Sequence, residues 1–164
     1  MEIYLIAHNI RSLHNVGSLF RTADGAGVGK IYLTGYTGAP VDKFKRPQKE
    51  VAKVALGAEL SIPWEKTKDL GRLIARLKKD GVFVIALEQS PQSISIFSNF
   101  HISKLKNAPI ALVVGNEVRG ISPTLVKQCD LALQIPMFGQ KESLNVVVAA
   151  GIALFKLREI FSRV

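Results

Sequence analysis

The chain has 164 residues, 48% hydrophobic and 21% charged, which suits one globular domain with a full core. Lys and Arg number 22 against 13 Asp and Glu, and the resulting charge of +9 points to an anionic partner such as nucleic acid. The one cysteine, Cys129, excludes an internal disulfide and a cysteine zinc cluster, the opening Met1-Glu2-Ile3-Tyr4-Leu5 has no signal-peptide layout, and no apolar run is long enough to span a bilayer. A cytoplasmic protein with no membrane partner is therefore expected.

Ile3 to Ala7 is a short apolar run and reads as a buried strand. His8 to Asn15 is a polar loop, and Asn15 or Gly17 is placed to cap a helix reaching about Ala26. Ile31-Tyr32-Leu33 is the next strand, followed by the turn-rich Thr34 to Gly38. Lys43, Lys45, Arg46, Lys49 and Lys53 form a basic cluster with Phe44 inside it. A helix is predicted from Gln48 to Leu56, and a weak strand from Leu60 to Trp64, broken by Pro63. Asp69 to Lys79 has the spacing of an amphipathic helix. Val82 to Leu87 and Ile110 to Val114 are continuous apolar runs, as expected of strands buried on both faces. The polar stretch between them, Glu88 to Asn107, has only weak periodicity. Ser122-Pro123 opens a short helix, Cys129 reads as a buried free thiol, and Leu131 to Ile135 is the last strand. Ser143 is then the expected N-cap of a helix through Val146 to Leu157. That helix is apolar all round, so it should be buried on every side, in its own core or against a second subunit.

Strands alternate with helices, which predicts an α/β fold with a mainly parallel sheet and helices on both faces. No linker, repeat or low-complexity segment divides the chain, so a single domain over residues 1–164 is expected. Ligands of such sheets bind beyond the carboxyl ends of the strands. Polar loops with Asn, Arg, Glu or Ser follow the strands at Ala7, Val114 and Ile135. Gly25, Gly27 and Gly29 lead into a strand and do not make a dinucleotide fingerprint, and there is no Gly-Lys-Ser/Thr phosphate loop. His8, His14 and His101 lack metal-ligand spacing, and no serine nucleophile elbow occurs.

Three motifs carry a resemblance. They are Asn9-x-Arg11-x-x-x-Asn15-x-Gly17-x-x-x-Arg21-Thr22, Val114-Gly115-Asn116-Glu117-x-x-Gly120-Ile121, and Ile135-Pro136-Met137-x-Gly139-x-x-x-Ser143-Leu144-Asn145-Val146. In this order and spacing they resemble the three signatures of the SpoU (TrmH-type) family of the SPOUT superfamily, S-adenosylmethionine-dependent RNA ribose 2′-O-methyltransferases. The resemblance covers nearly the whole chain. It implies a deep trefoil knot over roughly 110–164, although knots are otherwise almost absent from proteins. It implies a homodimer, with the apolar helix at the subunit interface. The methyl donor S-adenosylmethionine should be held by Leu87, Gly115, Ile135, Met137, Ser143 and Leu144, with no metal. Arg21, Asn15, Glu117, Ser143 and Asn145 are the implied catalytic residues.

A guanidinium stays protonated and cannot simply act as a base. Arg21 is expected to hold the ribose and its phosphate and to stabilise the developing alkoxide, while a phosphate oxygen or Glu117 takes the proton. Arg11, Arg21, Lys43, Lys45 and Arg46 are candidate RNA contacts, with Phe44 as a stacking platform. The plainer readings are an Arg21–Asp24 surface pair, helix caps at Asn15, Ser143 and Asn145, and a solvated basic face. The family's common N-terminal RNA-binding extension is not expected here, and substrate choice should then rest on this domain. Structured RNA is the expected substrate, transfer RNA ahead of ribosomal RNA, and DNA is not. The alternative is an RNA-binding module of the same fold that has lost catalysis.

Overall fold

In the computed structural model, residues 2–98 and 108–162 are described. The polar stretch after residue 98 and His101 lie outside them. The elements run β1 (Ile3–His8), α1 (Leu13–Gly25), β2 (Lys30–Thr34), α2 (Lys49–Ala55), α3 (Ala58–Ser61), β3 (Trp64–Thr67) and α4 (Leu70–Lys79). They continue with β4 (Phe83–Leu87), β5 (Ile94–Ser95), β6 (Ile110–Val114), α5 (Pro123–Val126), β7 (Leu131–Gln134) and α6 (Val146–Ser162).

The strands form one seven-stranded sheet in the order β3-β2-β1-β6-β4-β7-β5. Every pairing among them is parallel. Alternate side chains sort to the two faces. Ile3, Leu5, Ile31, Ile85, Ile110, Leu112 and Val114 join a core with α1, α2, α3 and α6. Ile6, Tyr32, Val84, Ala86, Ala111 and Val113 join a second core with α4 and α5. Helices therefore cover both faces, as the apolar runs predicted.

Close backbone approach locks α1 in place. A β-carbon at Gly17 would stand 2.5 Å from the Val51 carbonyl oxygen, so α2 lies directly on the α1 backbone. At the other end, Arg158 of α6 donates through Nε to the Ala26 carbonyl at 2.7 Å, and through Nη2 to that of Gly27.

Several elements differ from the sequence reading. Ser12, not Asn15 or Gly17, caps α1, its hydroxyl accepting from the Asn15 N–H at 3.3 Å. Asn15 and His14 thus lie in the first turn of the helix, and the Asn15 side chain is free for other work. The predicted strand at Leu60 is helical instead, with Leu60 84% exposed, and β3 starts only after Pro63. Proline has no N–H for a ladder, but its carbonyl accepts from Ile31 at 3.0 Å and leads the strand in. The two-residue edge strand β5 is too short to leave a periodicity.

Asn145, not Ser143, caps α6. Its Oδ1 accepts from the Val147 N–H at 2.9 Å, and its carbonyl from Ala149 at 3.0 Å. The burial expected of α6, in its own core or against a second subunit, is met within this chain on one side. Ala150, Ala153, Leu154 and Leu157 are in the core, while Val148 and Phe155 are 51% and 54% exposed. Cys129 is half-buried rather than buried, and burial pushes its thiol up to about 12, so it stays protonated.

Candidate functional site

Strands β4, β6 and β7 end side by side at Leu87, Val114 and Gln134, and a cavity of about 280 Å³ opens beyond them. This is the edge at which parallel sheets bind ligands, at the lower end of the ~300–1,000 Å³ typical of small-molecule sites. Leu87, Gly115, Ile135, Met137, Ser143, Leu144 and Glu117 all line it. Arg21, Asn15 and Asn145 do not. The Asn145 side chain is engaged on its own helix, and Arg21 is exposed on α1. Among the described residues Arg21 has no ion pair, so the predicted pairing with Asp24 does not form. Asn15 reaches the site at one remove, since its Nδ2 donates to Glu117 Oε1 at 2.8 Å.

Two glycines make the loop after β6 compact. A β-carbon at Gly115 would lie 2.6 Å from the Gly120 carbonyl carbon and from Ile121 Cγ1. Gly120 has φ +62, and the Glu88 carboxylate occupies the space its β-carbon would take. Glu88 Oε2 accepts from the Ile121 N–H at 2.6 Å, tying the end of β4 to this loop. Asn116 closes the turn by accepting from the Val118 and Arg119 N–H groups at 3.0 and 2.8 Å. Glu88 and Asn116 line the cavity, yet the sequence reading assigned no role to either. Their position directly after strand ends was the available signal.

Asn116 also joins this loop to its neighbours. Its Nδ2 donates to the Asn9 carbonyl at 3.0 Å and to the Tyr36 hydroxyl at 2.8 Å. Asn9 has φ +57, and its Oδ1 accepts from the Tyr36 N–H at 3.1 Å. That bond orients the amide, so Nδ2 donates to His8 Nε2 at 3.0 Å. His8 Nδ1–H then donates to Thr34 Oγ1 at 2.8 Å.

Burial holds the His8 imidazole below the usual histidine range, in its neutral form. The unfolded chain therefore binds this proton at higher pH than the folded one. Stability is fully present above about pH 6.5 and is lost as the pH falls through the lowered folded value. The unfolding midpoint should drop between about pH 7.5 and about pH 5.5, and His8→Gln should flatten that slope. Equal slopes in the two proteins would remove His8 from the account.

Among the described residues, the cavity wall carries Glu88, Glu117 and Glu142 against one guanidinium, Arg119. An acidic pocket in a chain of charge +9 is a local reversal that favours a cationic ligand. The basic face lies elsewhere. Arg11 is exposed, and Lys43 to Arg46 fold around Asp42, whose Oδ1 accepts from the Phe44 and Arg46 N–H groups at 2.8 and 2.9 Å. The bond from the Arg46 backbone leads the effects that hold the Asp42 carboxyl below its usual range. Phe44 is 64% exposed, with Lys43 Nζ 4.9 Å and Arg46 Cζ 5.0 Å from its ring centroid. Arg46 is thus partly spent on Asp42, while Lys43 and Lys45 form no ion pair among the described residues.

A family model, the SpoU rRNA Methylase family, matches residues 2–155. The chain belongs to the SpoU family. One curated SpoU relative, the 23S rRNA (guanosine-2′-O-)-methyltransferase RlmB of Neisseria meningitidis, is 35% identical over 95% of this chain and 58% of its own length. Another, the putative TrmH family tRNA/rRNA methyltransferase YacO of Bacillus subtilis, is 31% identical over 94% of this chain and 57% of its own. The chain thus spans a little over half the length of these relatives. Among solved structures, an AdoMet-bound rRNA methyltransferase from Sinorhizobium meliloti superposes with TM-score 0.83 at 29% identity, over 97% of this chain and 56% of that one. The A. aeolicus TrmH/SpoU tRNA modifying enzyme superposes at 0.80 and 28%, over 99% and 76%. The α/β fold expected from the alternation of strands and helices is the fold of these SpoU structures. Among the described residues no helix is long and apolar enough to cross a membrane, and no group of three or more His, Cys, Asp and Glu could hold a metal ion.

Proposed function

We propose that this SpoU chain is an S-adenosylmethionine-dependent ribose 2′-O-methyltransferase acting on structured RNA in the cytoplasm, ribosomal RNA ahead of transfer RNA. The observation that carries the reading is the acidic, glycine-walled cavity at the carboxyl edge of a strongly basic chain. It fits a ligand bearing a sulfonium and an ammonium, and the AdoMet-bound neighbour supports that ligand. The preference for transfer RNA expected from the sequence is replaced, because relatives at 35% and 34% identity are named for 23S rRNA.

Leu87, Gly115, Ile135, Met137, Ser143 and Leu144 would hold S-adenosylmethionine, which when bound supplies an activated methyl group. The new bond forms at the ribose 2′-oxygen as the sulfur–carbon bond breaks, and the hydroxyl proton leaves. Residues of the chain must align that oxygen, and positioning of this kind is worth up to about 7–11 kcal/mol in ideal cases. Arg21 holds the ribose and phosphate and stabilises charge growing on the oxygen. Glu117, with one oxygen engaged by Asn15, keeps the other for the departing proton. Ser143 and Asn145 complete the set, Asn145 by fixing the start of α6.

The functional unit is a homodimer through the exposed apolar side of α6, Val148 and Phe155. Because α6 packs on α1, such a contact brings Arg21 towards the seam between copies. The chain from about residue 110 onward forms the trefoil knot of the family. Supporting it, β7 passes beyond β4 and α6 then returns to pack on β6 and α1, at the middle of the sheet.

The test supplies radiolabelled S-adenosylmethionine and separate pools of unmodified ribosomal and transfer RNA. Label in the ribosomal pool, with the adjacent linkage resistant to alkali, is expected. Binding of neither the methyl donor nor RNA would overturn the reading. RNA binding without methyl-donor binding would favour an RNA-binding module of the same fold.

A further inference from the structure

Tyr36 lies in the turn after β2, at the same sheet edge as the cavity, and the residue is 58% exposed. Both ends of the residue are nonetheless pinned. Its N–H donates to Asn9 Oδ1 at 3.1 Å, and its hydroxyl accepts from Asn116 Nδ2 at 2.8 Å. Gly35 before it has φ +62, and the Asn9 amide fills the space a β-carbon there would occupy. The anchors come from the loops after β1 and β6, so three loops together fix one exposed aromatic residue. An exposed ring normally loses freedom when it binds, whereas here much of that ordering has already been done in folding.

We propose that Tyr36 is a stacking platform for an unpaired base of the RNA, at the mouth of the cavity. The inference rests on the RNA-methyltransferase reading and adds the residue that receives the base. Asn116 ties the ring to the wall of the cavity, which places a stacked nucleotide near the position where its ribose is needed. The same β2–α2 connection carries exposed Lys43, Lys45 and Arg46, whose charge complements a phosphate backbone rather than an apolar protein surface. A π face accepts any base, so Tyr36 gives orientation and selects for unpaired nucleotides without reading sequence.

Binding of two single-stranded RNA probes decides it: an oligoadenylate, and an abasic ribose-phosphate chain of equal length. No methyl donor is present, so the result is independent of catalysis. The wild-type protein should prefer the base-bearing probe. Tyr36→Ala should cut that preference by about 5- to 100-fold, the size of one base–aromatic stack. Tyr36→Phe should keep most of it, losing only the ordering that the Asn116 bond adds. If the alanine protein does not fold, Tyr36→Leu takes its place, keeping apolar bulk without the π face. An unchanged preference in Tyr36→Ala overturns the proposal. So does an equal loss in Tyr36→Phe, which would assign Tyr36 to the Asn116 bond alone. A change in sedimentation with the base preference intact would assign the ring to contact between copies, and also overturns it. Wild-type base preference without any methyl transfer would instead unseat the reaction and leave the platform standing.

Discussion

Arg21→Ala is expected to lower kcat for RNA methylation by about 100- to 1,000-fold, the usual cost of losing one preorganised contact to developing negative charge. Binding of S-adenosylmethionine should not change, because Arg21 is outside the cavity lining. Stability should stay within about 0.5 kcal/mol, because the side chain is exposed and has no ion pair among the described residues. The three readouts together separate a chemical role from a structural one. Arg21→Lys should recover only part of the rate, since an ammonium keeps the charge but lacks the planar fork that grips a phosphate. Full turnover in Arg21→Ala would remove the residue from the mechanism and leave the proton and the charge to other groups.

Gly115→Ala should abolish methyl-donor binding at ordinary concentrations and destabilise the fold by about 1–3 kcal/mol or more. The added methyl meets the Gly120 carbonyl carbon at 2.6 Å and its oxygen at 2.8 Å. Those are backbone atoms and cannot rotate away. The loop would have to open, drawing the Ile121 N–H from Glu88, where it now sits at 2.6 Å. Gly139→Ala is the matched control, since nothing lies within 4 Å of a β-carbon there. Calorimetric titration and urea denaturation should show the first variant impaired and the second close to wild type. Equal behaviour of the two would mean that the β6–α5 loop is softer than its packing indicates.

The sheet and most helices were legible because their signals are local. The apolar runs at Val82–Leu87 and Ile110–Val114 can be satisfied only between two helical layers, and they are. The errors fell where a signal was short or shared. Leu60 looked like strand because an apolar residue before Pro63 resembles an edge, yet it faces water. Ser143 and Asn145 are both good caps, and only the geometry shows that Asn145 takes the helix while Ser143 lines the cavity. Strand order is not written in any local pattern. The motifs fall on loops that meet at one sheet edge, but the Asn116 amide reaches Asn9 and Tyr36, 107 and 80 residues away, and no spacing rule reaches that far. Glu88 follows a predicted strand end, but what it does there exists only because Gly120 comes to meet it.

The place of β6 in the sheet has a consequence for how the chain is made. Ile110 pairs with Ile3 on one side and with Phe83 on the other. Until that strand leaves the ribosome, β1 and β4 have nothing between them, and each presents an open apolar edge able to capture the wrong strand. Ile3 must therefore wait for a partner 107 residues further along the chain. Closure at such long sequence separation is slow and leaves sticky intermediates exposed. Nascent chains halted before β6 has left the ribosome should accordingly be heavy clients of chaperones, and those halted after it has left much lighter ones.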